Sequence, residues 1–276
     1  QLTDIFAPRM LPGRVFRIPS LLPLPDGVVL AFSEARENWH DTGRIDLVMR
    51  RSRDGGATWG AVQVILTGAS HKLSYVATVG NPCAVYDAHT GVVWMLLCSN
   101  HGRDSERAIH ARQSVDRFGR RVWVTSSKDM GCTWADPTEI TKTCKRSGWT
   151  WYATGPGIGV QLQNGRLLIP ANHAEDVEER RHPFLHDLLR SRMVAHALYS
   201  DDHGARRHSS RCPAPSPAAA SAERPPSSLC AGASWHLGAI AAPHTNESAL
   251  AQLPSGVVVF SARDWSGEFR RQVQLS

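Results

Sequence analysis

From Phe16 onward, short apolar runs alternate with turn-rich stretches along the chain. The first runs are VVLAF (28–32), RIDLVMRR (44–51), AVQVIL (61–66), GVVWMLLC (91–98) and RVWVTSS (121–127). GVQLQ (159–163), RLLIP (166–170), VAHALYS (194–200), ALAQL (249–253), GVVVFSA (256–262) and RQVQLS (271–276) follow. They are rich in β-branched and aromatic residues, with Gly, Asp, Asn and Pro between them. That pattern predicts an all-β protein of many short strands. The residues before Phe16 include Pro8, Pro12 and Gly13 and read as a loop leading into a strand. Helical periodicity is weak except over 174–192, where AEDVEERRHPFLHDLLRSR reads as a short helix or a charged loop.

A repeat organises these strands. Ser52-x-Asp54-x-Gly56-x-Thr58-Trp59 recurs as Ser127-x-Asp129-x-Gly131-x-Thr133-Trp134. In each, Asp accepts backbone N–H bonds across a turn, Gly takes the left-handed conformation, and Trp packs on the sheet. Repeats of this kind mark propellers and arrays. A third copy begins at Ser200-x-Asp202-x-Gly204 and breaks off. Joining Gly204 to Ala233 restores Ser-x-Asp-x-Gly-x-Ser-Trp, so 205–232 reads as a 28-residue insertion into a tight turn. Its Pro/Ala/Ser composition cannot bury a core. It is either a disordered surface loop or an unspliced intron.

Composition narrows the ligand. The 276 residues carry a net charge of +6, a balance that first suggests nucleic acid. The basic residues are scattered, however, and arginine greatly outnumbers lysine. Arginine suits bidentate capture of a carboxylate or phosphate, so a small anionic ligand is expected and nucleic acid is not. The six cysteines include no CxxC pair, which argues against zinc; buried thiols and disulfides both remain open. No apolar run approaches the ~20 residues of a membrane span.

The motifs resemble those of the non-viral sialidases, exo-acting glycoside hydrolases built on a six-bladed propeller. The resemblance is carried by FRIP (16–19), the SxDxGxTW boxes, GNPCAVYDAHTG (80–91), WTWYATGPG (149–157) and TNES (245–248) with Arg263 beyond. It implies a sialidase-type β-propeller of which this chain forms about four blades, with sialylated glycans as partners and no cofactor or metal. Sialylated lipids among the substrates would imply peripheral membrane association. Neither compartment nor linkage preference follows.

The resemblance also assigns site residues. Arg17 and Arg263 match two of the three arginines that hold the sugar carboxylate, and Arg36 matches one that contacts the far side of the ring. Asp41 matches the acid/base, which gives a proton to the departing oxygen and then activates water. Glu247 matches the carboxylate that partners a tyrosine nucleophile, because a phenol avoids the repulsion between a carboxylate nucleophile and the substrate's own carboxylate. Glu34 reads as the partner of a site arginine or as a plain strand-end ion pair. Asn81 resembles a residue near the N-acetyl group, and as a turn residue it fits equally. Tyr152 and Trp151 either line the glycerol or aglycone side or pack in the core. Asn246-Glu247-Ser248 has the form of a glycosylation sequon, discounted because a glycan would block the pocket.

The third arginine and the nucleophile have no match. The tyrosines are Tyr75, Tyr86, Tyr152 and Tyr199, none in the nucleophile's context. Weak or no turnover by residues 1–276 is therefore expected, with a sialic-acid lectin as the alternative. A scaffold propeller with a protein partner and a trans-sialidase remain open.

Overall fold

The computed structural model describes residues 3–69, 77–115, 119–175, 193–204, 234–266 and 270–276. The described residues form four antiparallel units. The first comprises β1 (Val15–Pro23), β2 (Val29–Arg36), β3 (Ile45–Ser52) and β4 (Gln63–Leu66), paired in that order. The second comprises β5 (Ala77–Asp87), β6 (Val92–His101), β7 (Arg121–Ser127) and β8 (Thr138–Glu139). A short helix, α1 (Glu106–His110), lies between β6 and β7, and α2 (Thr141–Cys144) follows β8. In the third, β9 (Trp149–Thr154) and β10 (Val160–Gln161) both pair with β11 (Leu167–Glu175), which continues into β12 (Met193–Ser200) and β13 (His236–Pro243). The fourth is β14 (Thr245–Gln252), β15 (Val258–Asp264) and β16 (Arg271–Leu275).

These units are propeller blades. Their innermost strands meet in succession: β5 lies against β1, β9 and β10, and β10 lies against β14. The apolar core is accordingly split between blades. One cluster joins blades 1 and 2 through Leu30, Phe32, Met49, Val79, Val93 and Met95. A second joins blades 2 and 3 through Val85, Leu96, Val124, Tyr152, Ile169 and Trp235.

The boxes fasten neighbouring blades together. Each sits in the outer hairpin, between the third and fourth strands of its blade. Gly56 N donates to Ser52 Oγ at 2.8 Å, and Thr58 Oγ1 donates to Asp54 Oδ2 at 2.6 Å. The second box repeats these bonds at the same distances, through Ser127, Gly131, Asp129 and Thr133. The accepted bonds, first among them those from the threonine, hold Asp54 and Asp129 at pKa about 2. Trp134 of blade 2 meets Phe32 of blade 1 edge-on at 6.0 Å, and Trp235 of blade 3 meets Trp94 of blade 2 at 6.5 Å. Gly204, at φ +77°, stands where a Cβ would fall on the Trp94 ring.

The interrupted third box is closed. Gly204 N donates to Ser200 Oγ at 2.7 Å, Ser234 Oγ donates to Asp202, and Trp235 is fully buried. Ser234 thus does what Thr58 and Thr133 do in the other two boxes. The expectations for 205–232 and for 176–192 fall outside the described residues. Ala174 and Glu175 correct the helix-or-loop reading at its start, because both belong to β11. Cys83, Cys98 and Cys144 are buried free thiols, and Cys132 is exposed and free. No helix among the described residues is long and apolar enough to cross a membrane.

Candidate active site

A cavity of about 230 Å³ opens where the four innermost strands converge. Each innermost strand breaks its register there: β1 between Arg17 and Ser20, β5 between Gly80 and Cys83, and β14 between Thr245 and Ser248. In blade 3 the segment Gly155-Pro156-Gly157 separates β9 from β10. Such irregularities re-aim side chains that a regular pleat would send elsewhere. Ile18, next to Arg17, is held at φ 55° and Asn81 at φ 56°. For a β-branched residue such as Ile18 this is a strained conformation that the surrounding structure must enforce.

Arg36 is a deeply buried charge. It is 3% exposed, and its guanidinium donates through Nε to Glu34 Oε2 at 2.7 Å and through Nη2 to the same oxygen. Its Nη1 donates to Asp41 Oδ1 at 2.6 Å. Glu34 is 2% exposed, and its Oε1 also accepts from Asn81 N at 2.7 Å. Glu34 is therefore a pocket ion-pair partner that ties blade 1 to blade 2. Gly80 makes this approach possible, since a Cβ there would overlap the Glu34 carboxylate.

Asp41 lies on the loop between β2 and β3 and is 57% exposed. Arg17 Nη1 donates to it at 3.2 Å and to Trp39 O at 3.4 Å. The loop is pinned where Thr78 Oγ1 donates to Gly43 O and Gly43 N donates to Gly102 O. On blade 4, Arg263 Nη1 donates to Glu247 Oε2 at 2.9 Å, and its guanidinium lies 4.4 Å from the centre of the Trp265 ring. Arg17, Glu34, Arg36, Asp41, Asn81, Glu247 and Arg263 all line the one cavity. Asn246 lines it too and is 6% exposed, which leaves no room for a glycan.

Tyr152 is the correction. It is fully buried on the other face of β9, donates to Cys144 O at 3.3 Å, and sits 2.8 Å from His196 Nε2. Burial pushes its phenol well above the usual range. Its neighbour Trp151 faces the cavity instead, as alternation along a strand requires. No described tyrosine lines the cavity, and Tyr75 lies outside the described residues.

Glu106, Arg120 and Asn172 also line the cavity, and the sequence reading did not single them out. A sequence signal existed for Asn172 alone. Arg120 stands one place before a strand whose first residue, Arg121, points outward to Glu139 at 2.9 Å. Asn172 is a polar residue within the buried run of β11.

A larger cleft of about 670 Å³ lies between blades 2 and 3, lined by Arg112, Lys142, Lys145 and Arg146. Lys145 there is bound to the carbonyls of Arg120 and Thr150. No carboxylate is among its described lining residues.

The chain is similar to known proteins. Residues 27–276 match the family described as BNR repeat-like domain. Human Sialidase-4 is 35% identical over 198 residues, covering 70% of this chain and 39% of that protein. An exo-alpha-sialidase of Aspergillus fumigatus is 34% identical over 172 residues, covering 56% of this chain and 41% of that protein. The chain thus spans about two fifths of these curated relatives. A solved Hadza microbial sialidase superimposes with TM-score 0.72 at 24% identity, over 95% of this chain and 44% of its own.

Proposed function

Because the chain belongs to the BNR repeat-like domain family and is a sialidase-type propeller within it, we propose that it is an exo-α-sialidase. It removes terminal sialic acid from glycoproteins, oligosaccharides or gangliosides, with retention of configuration. One observation carries this reading: Arg17 from blade 1 and Arg263 from blade 4 share a single small cavity with Asp41 and Glu247. Two guanidinium forks from opposite ends of the chain suit one carboxylate.

The shared cavity supports the roles that the resemblance implies. Arg17 and Arg263 hold the sugar carboxylate. Asp41, half-exposed on its pinned loop, protonates the departing glycosidic oxygen and then deprotonates the incoming water. Glu247 would take the proton of a phenol nucleophile, which no described residue of this cavity supplies. Glu34 fixes Arg36, which hydrogen-bonds the far side of the ring together with Asn81. A lipid-borne glycan would bring the protein to a membrane surface from outside.

The absence of any described tyrosine from the cavity favours a second reading, a sialic-acid-binding propeller. Calorimetry with N-acetylneuraminic acid, run beside release of a fluorescent aglycone from an α-sialoside, separates the two. Binding with turnover supports the enzyme, and binding alone supports the lectin. Arg17→Ala and Arg263→Ala should each weaken binding about tenfold or more, since one charge-assisted hydrogen bond contributes ~1.5–3 kcal/mol. Unchanged binding in either variant would overturn both readings.

A further inference from the structure

Two of the blade boundaries are closed by a box tryptophan from the later blade: Trp134 lies on Phe32 of blade 1, and Trp235 lies on Trp94 of blade 2. The boundary between blades 3 and 4 differs. It holds an apolar groove of about 360 Å³, walled by Leu168, Tyr199 and Ile240 of blade 3 and by Leu250, Phe260 and Leu275 of blade 4. None of the nine tryptophans of the chain is among its described lining residues. Ile240 is 36% and Leu275 67% exposed, so the groove leaves apolar side chains in water. Register shows which box belongs there. In each complete blade the box serine pairs near the start of the second strand: Ser52 with Val29, Ser127 with Val93 and Ser200 with Leu167. In blade 4 the pair at this place is Ser276 and Val258, which exchange both backbone bonds, at 2.9 and 3.1 Å. Ser276 therefore holds the position of a fourth box serine.

A second vacancy adjoins the groove. Strand β16 pairs with β15 along one edge, and no described strand pairs with the other. In blade 1 the corresponding strand, β3, carries β4 on that edge, with Val48 opposite Val64. An open strand edge is a template for pairing with another segment. We infer that the groove and the free edge of β16 form one docking surface for a polypeptide segment supplied in trans, an Asp-x-Gly-x-Thr-Trp turn followed by a short apolar strand. Its indole fills the groove, as Trp134 and Trp235 fill the earlier boundaries. Its aspartate accepts from the Ser276 hydroxyl, as Asp54 Oδ1 accepts from Ser52 Oγ at 2.7 Å. Its strand extends the sheet beyond β16. The inference does not depend on what the central cavity binds.

The probe is a synthetic peptide with the sequence of residues 53–66, which carries Asp54, Thr58, Trp59 and the β4 strand but no box serine. Calorimetry with the 276-residue protein should show saturable binding. Trp59→Ala in the peptide should weaken it about tenfold or more, the loss expected of a central aromatic anchor. Ser276→Ala in the protein should weaken it about fivefold or more, because two hydrogen bonds of the box are lost. Ala241→Trp, which places an indole in the groove from within, should abolish binding without lowering the melting temperature; if that variant does not fold, the other two arms decide. Absence of saturable binding at millimolar peptide, equal binding of the Trp59→Ala peptide, or an unchanged Ser276→Ala protein would overturn the inference. So would a protein that dimerises in sedimentation equilibrium and loses peptide binding as it does, which would assign the groove to a second copy.

Discussion

Replacing Glu34 by alanine tests whether the cavity is built from the inside. Glu34 is nearly inaccessible and accepts two bonds from the equally buried Arg36 and one from Asn81 N. Removing one partner of a buried ion pair costs ~3–5 kcal/mol, because the other charge is left behind. Arg36 keeps its 2.6 Å bond to Asp41, so the lower end applies. In a protein of this size, about 3 kcal/mol lowers the melting temperature by about 6–12 °C. Asp41→Ala is the contrast. Its carboxylate is 57% exposed, and exposed ion pairs contribute ~0–1 kcal/mol. That variant should melt within about 4 °C of the parent while losing whatever turnover the protein has. Differential scanning calorimetry of both variants reads the two shifts. If Glu34→Ala melts within 3 °C of the parent, or above Asp41→Ala, the argument that Glu34 neutralises a buried charge is refuted.

The remaining predictions concern the core. His173 and His196 face each other at 3.0 Å between Nδ1 atoms, and His173 stacks on Trp149 at 3.4 Å. Burial, with the Arg146 and Lys145 charges adding, lowers His173 from 6.5 to about 3; burial and then His173 push His196 well below 6.5. The unfolded chain binds these protons first, so stability present above about pH 6.5 is lost as pH falls toward 3. The drop for His173 corresponds to at most about 5 kcal/mol. Melting temperature should fall from pH 7.5 to 5, and less steeply in His173→Gln; equal slopes would contradict this. Gly204→Ala places a methyl on the Trp94 ring at a positive φ and should cost about 2 kcal/mol or more, read as a lower urea midpoint. Brief alkylation followed by peptide mapping should label Cys132 well ahead of Cys83, Cys98 and Cys144, since burial lifts the Cys144 thiol to about 12 and raises the other two. Comparable labelling of all four would mean that the cluster between blades 2 and 3 is loosely packed.

How much was legible varies with the kind of strand. The regular second and third strands, such as β2, β3, β6 and β7, show in the sequence as uninterrupted apolar runs, and the boxes announce the outer hairpins. Strands β5 and β9 escaped the pattern. Ala77–Asp87 contains Gly80 and Pro82, and Trp149–Thr154 runs into Gly155-Pro156. The bulges that aim side chains into the cavity are the same features that erase the alternation. Arg17, Arg36, Asp41, Glu247 and Arg263 could be named from motif resemblance. That Tyr152 turns into the core while Trp151 faces the cavity depends on the register of β9 against β11.

By itself the sequence determined the succession of short strands, the box turns and the surplus of arginine, because these are local: they need only neighbouring residues and their backbone preferences. Which arginines find a carboxylate and which stays bare was decided by tertiary structure alone. Pairing depends on what blades distant in the chain bring within about 3 Å, and nothing local in RRV distinguishes Arg120, buried with no carboxylate partner among the described residues, from Arg121, paired outward with Glu139.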